Sequence, residues 1–254
     1  MPASKTTSLI TGATAGIGHE YAVQLAARGD DLVLVARDAA RLEQVAEELR
    51  RAHQVDVEVL VADLVDRADL ARVEARLADR DHPVDLLVNN AGFGLKKRFL
   101  DNTADEETEM LEVLVTAVLR LSHAALGAMA ERGHGGIINV SSVAAFLPRG
   151  SYSAAKAWVN SFSEWAHLEY KSRGVKVMAL CPGFTKTEFH QRMQVRRGDG
   201  FMWLEPDFLV RKSLEDFEKG RAYSVPGAQY KTIIALTKAI PNRALRLTQN
   251  MGRR

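Results

Sequence analysis

Cysteine is nearly missing from this sequence: Cys181 is the only one in 254 residues. An internal disulfide framework is thereby excluded, and a reducing, cytoplasmic location is the expectation. Neither sign of charge is in excess. The chain has 34 Lys and Arg against 32 Asp and Glu, which gives no electrostatic case for nucleic acid. The seven histidines are scattered without ligand spacing, so no metal site is expected. The start, MPASKTTSLITGA, holds no long apolar signal region, and no window reads as apolar enough to cross a bilayer. The basic end at Arg243, Arg246, Arg253 and Arg254 follows a break at Pro241. Such sparse charges suit a packed helix with a solvated tail better than membrane attachment.

What is present is a rhythm. Apolar residues make up 46% of the chain, and they fall in short runs that alternate with longer helical patterns. A strand ends at Ser8–Ile10, and a helix from Ile17 to Arg28 stops at Gly29. LVLVA (32–36) precedes a helix that Asp38 is placed to cap. VEVLVA, VDLLVNNAG, IINVSS and VKVMALCPG follow, each with a helical segment after it; the one after VDLLVNNAG runs long, through Met129. AYSVPG suits a last edge strand, and Gln229 to Ile240 a last helix. Strands this rich in Val, Leu and Ile, without polar alternation, belong in a sheet buried on both faces. The β-then-α order predicts an α/β fold: a doubly wound, mainly parallel Rossmann-type sheet with helices on both faces. With no repeat and no linker, residues 1–254 read as a single domain. The stretch from Glu188 to Leu204 mixes charges, glycines and large apolar groups, which suits a substrate lid; with the helix beginning at Pro206, the expected lid region is 188–218.

The first βα turn reads TGATAGIG. Gly12, Gly16 and Gly18, with Thr14 between them, allow backbone amides to approach a pyrophosphate at a helix N-terminus. The second strand ends in Ala36 and Arg37. An acid there would accept from the ribose of NAD, whereas a small residue followed by arginine suits a 2′-phosphate, so NADP is favoured over NAD. Further along, SYSAAKAW places Tyr152 and Lys156 four apart, on one face of a helix. Such a pair is either a half-buried tyrosine beside a solvated lysine or an acid/base tyrosine tuned by an ammonium.

The glycine loop, VNNAG (88–92), the serines ending IINVSS and the Tyr-x-x-x-Lys pair occur in one order. Together with CPGFTKT after the sixth strand, they resemble the short-chain dehydrogenase/reductase family in its standard-length branch. The resemblance implies a nicotinamide coenzyme and redox chemistry between a carbonyl and an alcohol. It implies that Gly12, Gly16, Ile17 and Gly18 line the pyrophosphate, that Asp63 contacts the adenine, and that Asn90, Ala91 and Gly92 shape the coenzyme pocket. Pro182, Gly183, Thr185 and Thr187 match the segment that holds the carboxamide. Ser142 matches the catalytic serine, with Ser141 a competitor. Tyr152 becomes the acid/base, and Lys156 binds the ribose and lowers the phenol's pKa. A homo-oligomer is implied as well.

One departure stands out. The family helix that usually carries an asparagine, which holds a water for proton relay, has Leu114 at its place. Two functions therefore compete: an NADP-dependent oxidoreductase of a carbonyl or secondary alcohol, and a non-catalytic coenzyme-binding sensor or scaffold of the same fold. Ser142, Tyr152 and Lys156 favour the first. Phe93, Phe146, Phe184, Met202 and Trp203 are candidates to line a pocket for an apolar substrate.

Overall fold

The computed structural model describes residues 5–188 and 200–239. The basic C-terminal end and residues 189–199 of the expected lid lie outside the described residues.

Seven parallel strands form one sheet: β1 (Thr7–Thr11), β2 (Asp31–Ala36), β3 (Val57–Val61), β4 (Leu86–Asn89), β5 (Gly135–Val140), β6 (Val175–Leu180) and β7 (Tyr223–Ser224). Their order is β3-β2-β1-β4-β5-β6-β7. Side chains alternate across the pleat, so neighbouring strand residues enter opposite cores. Ile10, Leu32, Leu34 and Ile138 pack on one face with α1 (Gly16–Ala27), α2 (Ala39–His53), α7 (Pro206–Glu218) and Tyr230 of α8 (Ala228–Ala239). Leu9, Val33, Val35 and Ile137 pack on the other, with α3 (Arg67–Ala78), α5 (Val118–Arg132) and α6 (Ser151–Tyr170). Covering both faces is what the unbroken apolar strands require. β1 lies between β2 and β4, so the winding reverses there and a crevice opens at the carboxyl ends of these strands. The expected cap is in place, since Arg41 N donates to the Asp38 carboxylate at 3.0 Å.

The helix expected from Pro206 is in place as α7, with Leu209, Val210 and Leu214 buried in the core with α1, so residues 206–218 of the expected lid region are a packed helix. The long helix expected before β5 is not uniform. It runs as α4 (Ala104–Leu111), a π-helical turn (Glu112–Ala117) and α5. Taken as one, Ala104–Arg132 is long and apolar enough to cross a membrane, contrary to the reading of the sequence. Half of its apolar window is buried inside the protein, with Leu121, Ala125 and Met129 packed against the sheet.

Candidate active site

The crevice is built by the ends of β1, β4, β5 and β6. Asn90, just past β4, holds the glycine loop in place: its side-chain amide donates to the carbonyls of Thr11 at 2.9 Å and Gly12 at 3.2 Å. The Thr11 hydroxyl oxygen accepts from the backbone amides of Asn90 and Ala91, both at 3.0 Å. A β-carbon on Gly18 would lie 2.3 Å from both Asn90 Nδ2 and Gly12 O, so no other residue fits this seam. α2 and α3 have aspartate caps, but α1 starts at Ala15 with no side-chain cap. Its first-turn amides therefore suit an anion. A bare cradle shaped by glycines fits the pyrophosphate of a dinucleotide. Thr14 lines a cleft of about 270 Å³ beside this loop. Arg37, exposed, and Asp63, partly buried, meet at 3.5 Å, which brings together the residues expected at the adenosine ribose and the adenine.

Beyond β5, the two candidate serines part ways. Ser141 is buried and its hydroxyl donates to the Lys156 carbonyl at 3.0 Å. Ser142 caps the short turn Val143–Phe146, accepting from Ala144 N at 3.1 Å, and it hydrogen-bonds the Tyr152 side chain. Only Ser142 meets the phenol. Lys156 lies 5% exposed in the same corner, its Nζ donating to the Val140 carbonyl at 2.7 Å and standing 5.8 Å from the centre of the Tyr152 ring.

Burial governs the electrostatics of this corner. It pushes the Tyr152 phenol up to about 12, the Ser142 hydrogen bond opposing it. Burial also presses the Lys156 ammonium down to about 8. Desolvation disfavours the charged form of each group, so the two values move toward each other.

On the far side, Pro182 and Cys181 are buried, and Thr185 is buried with its hydroxyl donating to the Gly183 carbonyl at 3.1 Å. Thr187 abuts the glycine loop, where a β-carbon on Gly16 would lie 3.1 Å from Thr187 Cβ. The expected apolar lining divides. Phe184 and Trp203 stack at a tilt, with ring centres 5.2 Å apart. Phe93 packs with Tyr152 around Met110, Leu114 and Ala155. Met202 leans on the main core. Phe146 is partly buried in the turn after Ser142.

A family model described as short chain dehydrogenase matches residues 6–197. The chain belongs to the short-chain dehydrogenase/reductase family. The very-long-chain 3-oxoacyl-CoA reductase of Anas platyrhynchos is 36% identical over 189 residues, 71% of this chain and 60% of that protein. The chain thus spans less than two thirds of the length of that relative. Inactive hydroxysteroid dehydrogenase-like protein 1 of Homo sapiens is 31% identical over 185 residues, 71% of this chain and 56% of that one. A solved short-chain dehydrogenase from Sphingobium yanoikuyae in complex with NADPH has a TM-score of 0.84 at 36% identity, covering 92% of this chain and 94% of that one.

In this short-chain dehydrogenase/reductase, the sequence left several contributors unmarked. Tyr230 of α8 accepts from Phe184 N at 2.8 Å and donates to the Met202 carbonyl, joining two expected lining residues. Glu107 of α4 accepts from the Ser151 hydroxyl at 2.5 Å, tying α4 to the start of the helix that carries Tyr152. Arg41 grips Glu188 across the edge of the glycine loop. Of these, only Arg41 had a readable signal: it follows Arg37 by four residues, in the first turn of α2.

Proposed function

We propose that this protein is an NADP-dependent reductase of carbonyl compounds, or a dehydrogenase of the matching secondary alcohols, with an apolar substrate. The observation that carries the reading is the meeting of Ser142, Tyr152 and Lys156 at the sheet's carboxyl edge, beside a glycine cradle. When bound, a reduced nicotinamide supplies the hydride. Tyr152 gives its proton to the substrate oxygen as charge builds there, and Ser142 orients that oxygen by donating a hydrogen bond. A phenol that holds its proton to about 12 is in the acid form this direction needs. Lys156, buried and cationic below about 8, would hold the nicotinamide ribose and favour the phenolate once the proton has left.

Support for NADP comes from Ala36 and Arg37, and from the NADPH complex of the Sphingobium relative. Support for an apolar substrate comes from Phe184 and Trp203, whose rings meet in the segment after β6. The duck relative's name suggests 3-oxoacyl thioesters as one class to include. The test is a panel of aliphatic, aromatic and polycyclic ketones, aldehydes and 3-oxoacyl thioesters, run with each coenzyme and read by nicotinamide absorbance. Turnover with NADPH that Tyr152→Phe lowers by about 10²–10⁴-fold, with coenzyme binding retained, is expected. A Tyr152→Phe variant as active as wild type would overturn the acid/base assignment.

The second reading, a coenzyme-binding sensor, is favoured by two observations: Leu114 in place of the usual asparagine and the inactive human relative. Its mark would be NADPH binding with no turnover across the whole panel. We also infer a homo-oligomer. α6 carries a file of rings, Trp158, Phe162, Trp165 and Tyr170, each in contact with the next. Trp165 is 49% and Leu168 72% exposed on this helix, apolar area that a second copy would cover. Light scattering that gives a monomer at micromolar concentration would remove this inference. The single buried thiol, Cys181, supports a reducing, cytoplasmic setting.

A further inference from the structure

Arg41 has no role in the chemistry above, yet it stands at the edge of the coenzyme cradle. It lies in the first turn of α2, and its guanidinium forks onto Glu188 through Nη1 at 3.1 Å and Nη2 at 2.5 Å. Glu188 follows Thr187, the residue that abuts Gly16. The pair therefore joins α2 to the segment after β6 along the outer rim of the glycine loop. Thr14, Ala15, Gly16, Arg41, Glu188 and a second carboxylate, Glu48, are among the residues that line one cleft of about 270 Å³. Both side chains stay open to solvent, at 39% and 38% exposure.

A guanidinium fork fits a phosphate as well as it fits a carboxylate. A phosphate monoester carries close to two negative charges at neutral pH, against one for a carboxylate. Thr14 lines the same cleft, and the N-terminal end of α2 favours negative charge nearby. Arg37 and Arg41 lie on either side of the capping Asp38 in the sequence, at the junction of β2 and α2. A dinucleotide lying on the cradle, with its adenosine ribose at the end of β2, would bring a 2′-phosphate to this end of α2.

We propose that Arg41 is a second recognition residue for the 2′-phosphate of NADP(H), and that Glu188 is an internal competitor which the phosphate displaces. This rests on the reading of NADP(H) as the coenzyme. NAD(H) has no group to offer Arg41, so Glu188 keeps its hold when that coenzyme binds. The carboxylate thus opposes binding of NADP(H) alone, and coenzyme choice reflects a contest between two anions for one cation. Glu188 already holds the Arg41 guanidinium above its ordinary pKa, chiefly through their hydrogen bonds.

The test uses two fragments, adenosine 2′,5′-bisphosphate and AMP, titrated calorimetrically at fixed ionic strength into wild type, Arg37→Leu, Arg41→Met and Glu188→Gln. Thermal melts check that each variant folds. Arg41→Met should weaken the bisphosphate about tenfold, the scale of one charge-assisted hydrogen bond, and leave AMP within about twofold. Glu188→Gln should strengthen the bisphosphate about two- to fivefold, the scale of an exposed ion pair released, without changing AMP. Equal weakening of both fragments by Arg41→Met would overturn the proposal, as would a weaker bisphosphate in Glu188→Gln, since either makes the pair a structural strap. If Arg37→Leu removes the preference for the bisphosphate and Arg41→Met does not, the NADP reading stands and only the role of Arg41 falls. A wild type that binds the two fragments alike removes both.

Discussion

Leu114 presses against Gly92 so closely that a β-carbon on Gly92 would come within 2.8 Å of the Leu114 Cδ2 methyl. The same β-carbon would lie 3.9 Å from Lys156 Nζ. The leucine that stands where the family usually has asparagine is therefore packed, 1% exposed, into the corner of the candidate active site. Gly92→Ala should cost about 1–3 kcal/mol through overpacking. In the Gly92→Ala/Leu114→Ala double variant the two costs should sum to less than their separate values, because the smaller side chain makes room. Chemical denaturation of the four proteins measures this; strict additivity would show that the two residues do not meet.

Leu114→Asn follows from the same corner. A leucine neither donates nor accepts a hydrogen bond, so under the proposed reductase reading the proton relay runs through another group. Wild type should turn over ketone without asparagine, and Leu114→Asn should alter kcat by less than about tenfold while lowering the melting temperature, since an amide is placed in a packed site. A silent wild type rescued by Leu114→Asn would favour the sensor reading.

The two neighbouring serines make a contrast in kind. Ser142→Ala removes a partner of the Tyr152 phenol and should lower kcat about 10²-fold with little change in stability. Ser141→Ala removes a buried bond to the Lys156 carbonyl and should lower stability by about 0.5–1.5 kcal/mol. Parallel melts and kinetics decide it. A Ser141 variant that loses turnover while Ser142→Ala keeps it would reverse the assignment.

Lys156 sets a pH dependence. Its folded value, about 8, lies below the ordinary 10.5, so between those values the unfolded chain binds more protons at this residue. The contribution of Lys156 to stability should rise as pH climbs through that window, and it is lowest where the group is charged in both states. Coenzyme binding should run the other way. A ribose held by the ammonium favours the charged form, so NADPH affinity should weaken above pH 8. Lys156→Met should bind more weakly and without this dependence, as read by calorimetry from pH 6.5 to 9.5. A Lys156→Met profile parallel to that of wild type would assign the dependence to another group.

Arg37 offers the simplest specificity experiment. Its ion pair with Asp63, 3.5 Å long, is open to solvent, a pair of little weight for stability. Arg37→Leu should weaken NADPH about tenfold or more and leave NADH nearly unchanged. A wild type that prefers NADH would refute the reading of this strand end.

Much of the fold was legible because buried parallel strands and amphipathic helices write different periods into a sequence. The Tyr152 and Lys156 pair was legible for a related reason: a spacing of four on a helix is a statement about space. Where spacing carries no such meaning, reading failed. Ser141 and Ser142 are adjacent, and only the geometry at the end of β5 separates them. The π-helical turn at Glu112–Ala117 lies in the run EVLVTA, where apolar residues fall too densely to reveal a change of period. Ala104–Arg132 reads in the sequence as one long helix but not as one apolar enough for a bilayer, which it is. Arg41 and Glu188 stand 147 residues apart, and no local pattern links a base on one helix to an acid beyond a distant strand. The burial that raises the phenol's pKa left no mark in the sequence, whereas the ammonium near it did.

Asn90 follows β4, while the loop it grips follows β1, and the two strands lie side by side in the middle of the sheet. The cradle's shape is therefore a property of that strand pairing and not of the loop. It should not flicker open as a flap does. Its amides should exchange with deuterium as slowly as those of the central strands, and the ability to take up coenzyme should vanish in the same cooperative step that dismantles the sheet.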